Sequence, residues 1–153
     1  KAREYGFHTS MIESSMMIND KMPEYCVDRA AKILNKVKKA MNGSKVLVLG
    51  VAYKQDIDDY RESPALKVID VLEREGAEVT FFDPWVKEYK HNGQTRQSIP
   101  TLTEEVLKAA DLVMITTAHT NIDYDMVQKN AALIFDTKNA MKNIANRENI
   151  EVL

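Results

Sequence analysis

The chain's 153 residues fit one domain of ordinary size, and 44% hydrophobic with 29% charged residues is too apolar a mixture for a disordered chain. Twenty-one Lys and Arg against 23 Asp and Glu leave a formal net charge of −2, which removes the electrostatic footprint of a nucleic-acid binder. No apolar run reaches the roughly 20 residues that span a bilayer, and the one cysteine, Cys26, can form neither an internal disulfide nor a multi-cysteine metal site, so a reducing cytoplasm is the expected compartment.

Charge is unevenly spread. Residues 1–45 hold nine Lys/Arg and five Asp/Glu, a balance of +4, while the remainder carries −6. The opening stretch KAREYGFHTS lacks the apolar core of a signal peptide. From Met11 to Met41 almost every residue is compatible with helix, and Val27, Ala30, Leu34, Val37 and Met41 recur at steps of three and four, marking one face. Pro23 has no N–H to give to the preceding turn. Two consecutive helices, or one kinked helix, are therefore expected over about 9–41, ending in a turn at Asn42-Gly43-Ser44.

From Lys45 the rhythm changes to strand, helix, strand. Val46 to Leu49 is a continuous apolar run, as in a strand buried on both faces. Ser63 as N-cap and Pro64 at the first helical position open the next helix, and Gly76 stops it. Strands are expected at Val79–Phe82, Leu112–Ile115, Leu133–Phe135 and 150–152, with helices over 103–110 and 120–130. This alternation predicts an α/β fold: a Rossmann-like, doubly wound parallel sheet preceded by a long, Pro-kinked helical segment. The boundary between helical segment (1–42) and sheet domain (43–153) falls at the turn.

Ligands of such sheets bind beyond the carboxyl ends of the strands. That nominates the loop after Gly50, the Asp83-Pro84 corner, the segment Thr116 to His119, and Asp136 to Asn139. The first is long and polar, with Lys54, Asp56, Asp58, Asp59 and Arg61 within eight residues, where connectors usually run two to six. Lys offers a phosphate a point charge and Arg a bidentate fork; a solvated, self-paired loop is the plainer alternative. A dinucleotide is not expected at this point, because Gly50-Val51-Ala52-Tyr53-Lys54 contains no G-x-G-x-x-G. Asp83 stands 33 residues after Gly50, against roughly 20 for the ribose-binding acid of that fingerprint, so Asp83 is expected to staple its own corner. His8, His91 and His119 show no metal-ligand spacing. His119 reads as a hydrogen-bonded loop histidine as readily as a ligand contact. Lys32, Lys36, Lys38 and Lys39 read as a solvated helix face, and Met11, Met16, Met17 and Met22 as packing, within the domain or across a dimer.

The block Gly50-Val-Ala-Tyr-Lys54-Gln-Asp-Ile-Asp-Asp59-Tyr-Arg61-Glu-Ser63-Pro64-Ala65 resembles the opening of the C-terminal, UDP-binding domain of nucleotide-sugar 6-dehydrogenases. Ile18-Asn19-Asp20-Lys21-Met22-Pro23-Glu24-Tyr25 is similar to that family's central dimerisation helix. Phe82-Asp83-Pro84 and Phe135-Asp136-Thr137-Lys138-Asn139-Ala140 also fit. The flavour of the motifs is nearest the branch acting on UDP-N-acetylglucosamine. The resemblance implies an enzyme of polysaccharide biosynthesis that oxidises the sugar C6 hydroxyl to a carboxylate by two hydride transfers to NAD, through a thiohemiacetal on a catalytic cysteine. It also implies that this chain is only the second half of such an enzyme, that upstream sequence encodes the dinucleotide loop and the nucleophile, and that these residues alone do not turn over.

By the same resemblance Lys54, with Tyr53 beside it, contacts the UDP-sugar, and Asn19 and Lys138 contribute to that pocket. Arg61 reaches NAD held mainly by another domain, and the central helix forms a homodimer. No catalytic residue is expected in this chain, and Cys26 reads as a small buried thiol. Ser10 stands where many relatives carry an Arg that reaches into a neighbouring subunit, which removes the basis for that contact here. The alternatives are a non-catalytic nucleotide-binding and oligomerisation module, or an unrelated Rossmann-like nucleotide binder.

Overall fold

A computed structural model describes residues 9–153; His8 and the start of the helical segment lie outside them. Helix α1 runs unbroken from Ser10 to Lys36, with Pro23 inside it. The two-helix alternative is therefore excluded, and the missing proline N–H leaves the carbonyl of Asn19 without that helical bond. The helix stops five residues earlier than the apolar spacing suggests. Lys38 takes a left-handed φ of 61°. The Lys38 N–H then bonds Asn35 O at 3.0 Å and the Lys39 N–H bonds Leu34 O at 3.1 Å, which is a Schellman closure built on lysine instead of glycine. Met41 is still buried, but from the turn beyond the helix, while Val37 is exposed.

The sheet comprises β1 (Lys45–Leu49), β2 (Glu78–Phe82), β5 (Leu112–Ile115), β6 (Ile134–Asp136) and β7 (Ile150–Val152), in the order β2-β1-β5-β6-β7. Each pairing is parallel. Alternation sends Val46, Val48, Phe81, Met114 and Phe135 to one face, where Cys26, Val27, Ala30, Ile33 and Leu34 of α1 meet Ile69 and Leu72 of α2 (Pro64–Arg74). Leu47, Leu49, Val113, Ile115 and Ile134 face the opposite way, toward Leu107 of α3 (Glu104–Ala109) and Val127 of α4 (Tyr124–Asn130). Helices on both faces make the sheet doubly wound, as the sequence predicts. Helix α4 begins later than expected, because the Asp123 carboxylate accepts the Met126 N–H at 2.9 Å and sets the start there.

One element was not anticipated. Strands β3 (Glu88–His91) and β4 (Gln94–Gln97) form an antiparallel hairpin after β2. Asn92 and Gly93 both have positive φ, 49° and 76°, the two-residue turn whose twist matches paired strands. Tyr89 buries its ring 5.0 Å from that of Phe81. Arg96 donates to Glu73 at 2.6 Å and His91 meets Asp70 at 2.8 Å, clasping the hairpin to α2.

Strand order reverses between β1 and β5, so the crevice for ligands opens beyond Leu49 and Ile115.

Candidate functional site

The end of β1 is packed tightly against that of β5. Gly50 has φ +86°, and a Cβ there would lie 2.6 Å from both the Cβ and the carbonyl oxygen of Thr117. The Thr116 hydroxyl donates to the Gly50 carbonyl, and that of Thr117 to the Ala52 carbonyl at 2.7 Å. The next two amides point at Asp83. Val51 and Ala52 N–H donate to its Oδ2 at 2.7 and 3.0 Å, and Trp85 and Val86 N–H to its Oδ1 at 2.8 and 2.9 Å. In a dinucleotide-binding fold, backbone amides after the first strand face a pyrophosphate. Here an internal carboxylate takes them, so the switch point does not fit a dinucleotide.

His119, fully buried, completes this network: its Nε2 lies 3.0 Å from Asp83 Oδ2 and its Nδ1 accepts the Asp56 N–H at 3.0 Å. The Asp56 carboxylate in turn accepts the N–H and hydroxyl of Thr120 at 2.9 and 2.8 Å. These donors hold the Asp56 carboxyl below its ordinary value, the Thr120 amide most strongly. Burial alone pushes the Asp83 carboxyl up, but the bonds from His119, Val86 and Trp85 outweigh it and the group stays below the usual range. Asp83 thus staples its corner, as expected, and His119 is the hydrogen-bonded loop histidine. Asp136 acts alike at the end of β6, accepting from Lys138 N–H at 3.0 Å, Ala140 N–H at 3.1 Å and Met141 N–H at 2.8 Å.

On the loop these contacts hold, Tyr53 and Lys54 are exposed, with Lys54 Nζ 5.8 Å from the centre of the Tyr53 ring. Among the described residues Lys54 makes no ion pair. Arg61 is engaged: its Nε and Nη2 donate to Asp59 Oδ1 and Oδ2 at 2.9 and 3.0 Å. This fork lowers the Asp59 carboxyl and raises the guanidinium.

Asn19 and Lys138 belong to a different feature, a cleft of about 330 Å³ between α1, the start of α2 and the ends of β5 and β6. Pro23, Cys26, Pro64, Val68, Thr116 and Thr137 also line it. The structure therefore brings Asn19 and Lys138 together, while Tyr53, Lys54 and Arg61 stand on the neighbouring loop outside that lining. Cys26 is buried, and its burial pushes the thiol up, against a smaller pull from Lys138. The small buried thiol is as expected. The lysines at the end of α1 are exposed, Lys36 pairing with Glu151 and Lys39 with Asp111. The methionines behave differently: Met22 packs at the core edge, whereas Met11, Met16 and Met17 are exposed, with Ile12 and Ile18, on the first half of α1. The sequence nominates the loop holding Asp56 and the segment from Thr116 to His119, but not the bonds that join them, because the partners stand more than sixty residues apart.

Residues 47–143 match the UDP-glucose/GDP-mannose dehydrogenase family, UDP binding domain. The chain is 32% identical over 153 residues to the UDP-N-acetyl-D-mannosamine dehydrogenase of Methanocaldococcus jannaschii, covering 95% of this chain and 32% of that protein. The UDP-N-acetyl-D-glucosamine 6-dehydrogenase of Pseudomonas aeruginosa is 30% identical over 86 residues, covering 56% of this chain and 20% of that protein. Among solved structures, the UDP-D-ManNAc dehydrogenase of Pyrococcus horikoshii is similar with a TM-score of 0.78 at 27% identity, covering 95% of this chain and 34% of that one. The chain spans about a third of the length of the M. jannaschii and P. horikoshii proteins.

Proposed function

The chain belongs to the UDP-glucose/GDP-mannose dehydrogenase family, and from that premise we propose that it is the UDP-sugar-binding part of an NAD-dependent enzyme oxidising the C6 hydroxyl of a UDP-N-acetylhexosamine to the uronic acid. The observation that carries this reading is the exposed Lys54, free of ion pairs among the described residues, on a loop hydrogen-bonded to His119 at the strand-order reversal. A preorganised cation beside an aromatic ring suits a diphosphate joined to a flat base. Tyr53 shares this contact, and Asn19 and Lys138 address the substrate from the cleft.

NAD supplies the hydride acceptor when bound, but the amides after β1 are taken by Asp83, so this domain does not cradle it. Arg61 is its one proposed contact here: Asp59 takes the Nε and one Nη2 donor, and among the described residues the remaining guanidinium N–H groups are free to meet a cofactor phosphate. With Cys26 buried and no dinucleotide loop, these 153 residues alone produce no NADH. The exposed methionines and isoleucines of α1 support a homodimer through that helix. No helix among the described residues is long and apolar enough to cross a membrane. A cytoplasmic setting agrees with the single buried thiol.

Both hexosamine branches occur among the relatives, the mannosamine enzymes alongside the glucosamine enzyme that the motif flavour favours. The test is NADH formation by the protein expressed from its complete reading frame, with UDP-N-acetylglucosamine, UDP-N-acetylmannosamine and UDP-glucose. An N-acetylhexosamine should give the highest kcat/KM, and the better of the two names the substrate. No NADH with any UDP-sugar contradicts the proposal.

A further inference from the structure

Three loops leave the carboxyl ends of three adjacent strands, β2, β1 and β5, and one imidazole joins them. His119 follows β5, Asp83 follows β2, and Asp56 belongs to the long loop after β1. A backbone N–H can only donate, so the Asp56 amide 3.0 Å from His119 Nδ1 makes that nitrogen the acceptor. The ring proton is then on Nε2, where it donates to Asp83 Oδ2. The Tyr124 hydroxyl donates to the His119 carbonyl at 3.1 Å, and Thr120 clasps the Asp56 carboxylate. Asp56 itself has φ +59°, a conformation a non-glycine residue keeps only where its surroundings enforce it. Two residues before it stands Lys54.

We infer that His119 is a positioning residue for substrate binding: as the neutral Nε2–H tautomer it ties the loop carrying Tyr53 and Lys54 to the ends of β2 and β5, so that Lys54 meets the UDP-sugar already in place. The inference rests on the proposed role of Lys54. The imidazole is fully buried and touches no ligand-facing surface, so its effect passes through the loop backbone. A loop held this way spares the ordering cost that a mobile lysine would incur on binding.

Two substitutions separate the arms of the tie. In His119→Asn the side-chain oxygen takes the Nδ1 position and still accepts from Asp56, while the donor to Asp83 is lost. In His119→Gln the amide nitrogen takes the Nε2 position and still donates to Asp83, while the acceptor for Asp56 is lost. In the complete enzyme, His119→Gln should raise the KM for UDP-sugar about ten-fold with kcat little changed, and His119→Asn, which keeps the bond to the loop and loses only the one to β2, should raise it by clearly less. Combining His119→Gln with Lys54→Ala should give the KM of Lys54→Ala alone, because the histidine acts through that lysine. Equal loss of thermal stability in both variants with unaltered KM, while Lys54→Ala raises it, overturns the positioning role and leaves the loop's role standing. Unaltered KM in Lys54→Ala overturns the reading of the loop itself. Nitrogen NMR of the unaltered protein requires no variant to fold: a proton on Nε2 of His119 agrees with the tie, and a proton on Nδ1 overturns it.

Discussion

Asp83 and His119 meet at 3.0 Å in the interior, and neither side chain is exposed to solvent. The carboxylate accepts four backbone N–H groups besides the imidazole, enough to offset the cost of burying its charge. Three adjacent strand ends are joined in this way, and the space where a pyrophosphate would approach is filled from within.

Asp83→Asn turns an oxygen that accepts three donors into a donor. The variant should lose about 2–4 kcal/mol of stability, read by urea denaturation near neutral pH. The folded carboxyl sits below its ordinary value, so its contribution is complete above the unfolded value of about 4 and is lost as pH falls through the folded value. The gap between parent and variant should therefore narrow as the solution is acidified below about pH 4. A gap that is constant with pH contradicts the assignment.

At Gly50 the required φ and the 2.6 Å approach of Thr117 backbone act together. Gly50→Ala should cost about 2–4 kcal/mol, since a carbonyl oxygen cannot swing aside as a flexible side chain would. Calorimetric melting checks this, and a loss under about 0.5 kcal/mol would mean the strand ends are looser than described.

Cys26 should react slowly with an aromatic disulfide reagent in the native protein and rapidly once unfolded, because burial raises its thiol. Cys26→Ala should leave turnover in the complete enzyme unaffected. Fast native modification, or lost turnover in a folded variant, contradicts the inert reading.

The first half of α1 exposes Met11, Ile12, Met16, Met17 and Ile18. Sedimentation should show self-association that Met16→Lys with Ile12→Lys weakens. A strict monomer at high micromolar concentration, or no response to the pair of lysines, counts against the interface.

The sheet was readable because β1 and β5 are uninterrupted apolar runs, and α2 because Ser63, Pro64 and Gly76 punctuate it. The hairpin was not, although Asn92-Gly93 was the signal. Its strands are four residues each and mostly polar, and they are held by Arg96–Glu73 and His91–Asp70 instead of a repeating apolar face. The end of α1 escaped notice because a lysine fills the left-handed position that usually advertises itself as glycine. The neighbourhood of the site followed from the rule that ligands sit at strand ends. Its internal wiring did not, since no periodicity links Asp56 to His119 or His119 to Asp83. The resemblance places Asn19 and Lys138 in one pocket with Lys54, and nothing in the sequence tells that Lys54 stands outside the cleft the other two line.

The central claim is that the loop after β1 holds the UDP-sugar through Lys54 while Arg61 serves the cofactor. Calorimetric titration of the complete enzyme, parent against Lys54→Ala and Arg61→Ala, tests it with each ligand separately. Lys54→Ala should weaken UDP-sugar binding by about ten- to hundred-fold, the loss of one charge-assisted contact of roughly 1.5–3 kcal/mol, and leave NAD unaffected. Arg61→Ala should do the reverse. If both variants bind both ligands like the parent, the loop is structural and the assignment is wrong.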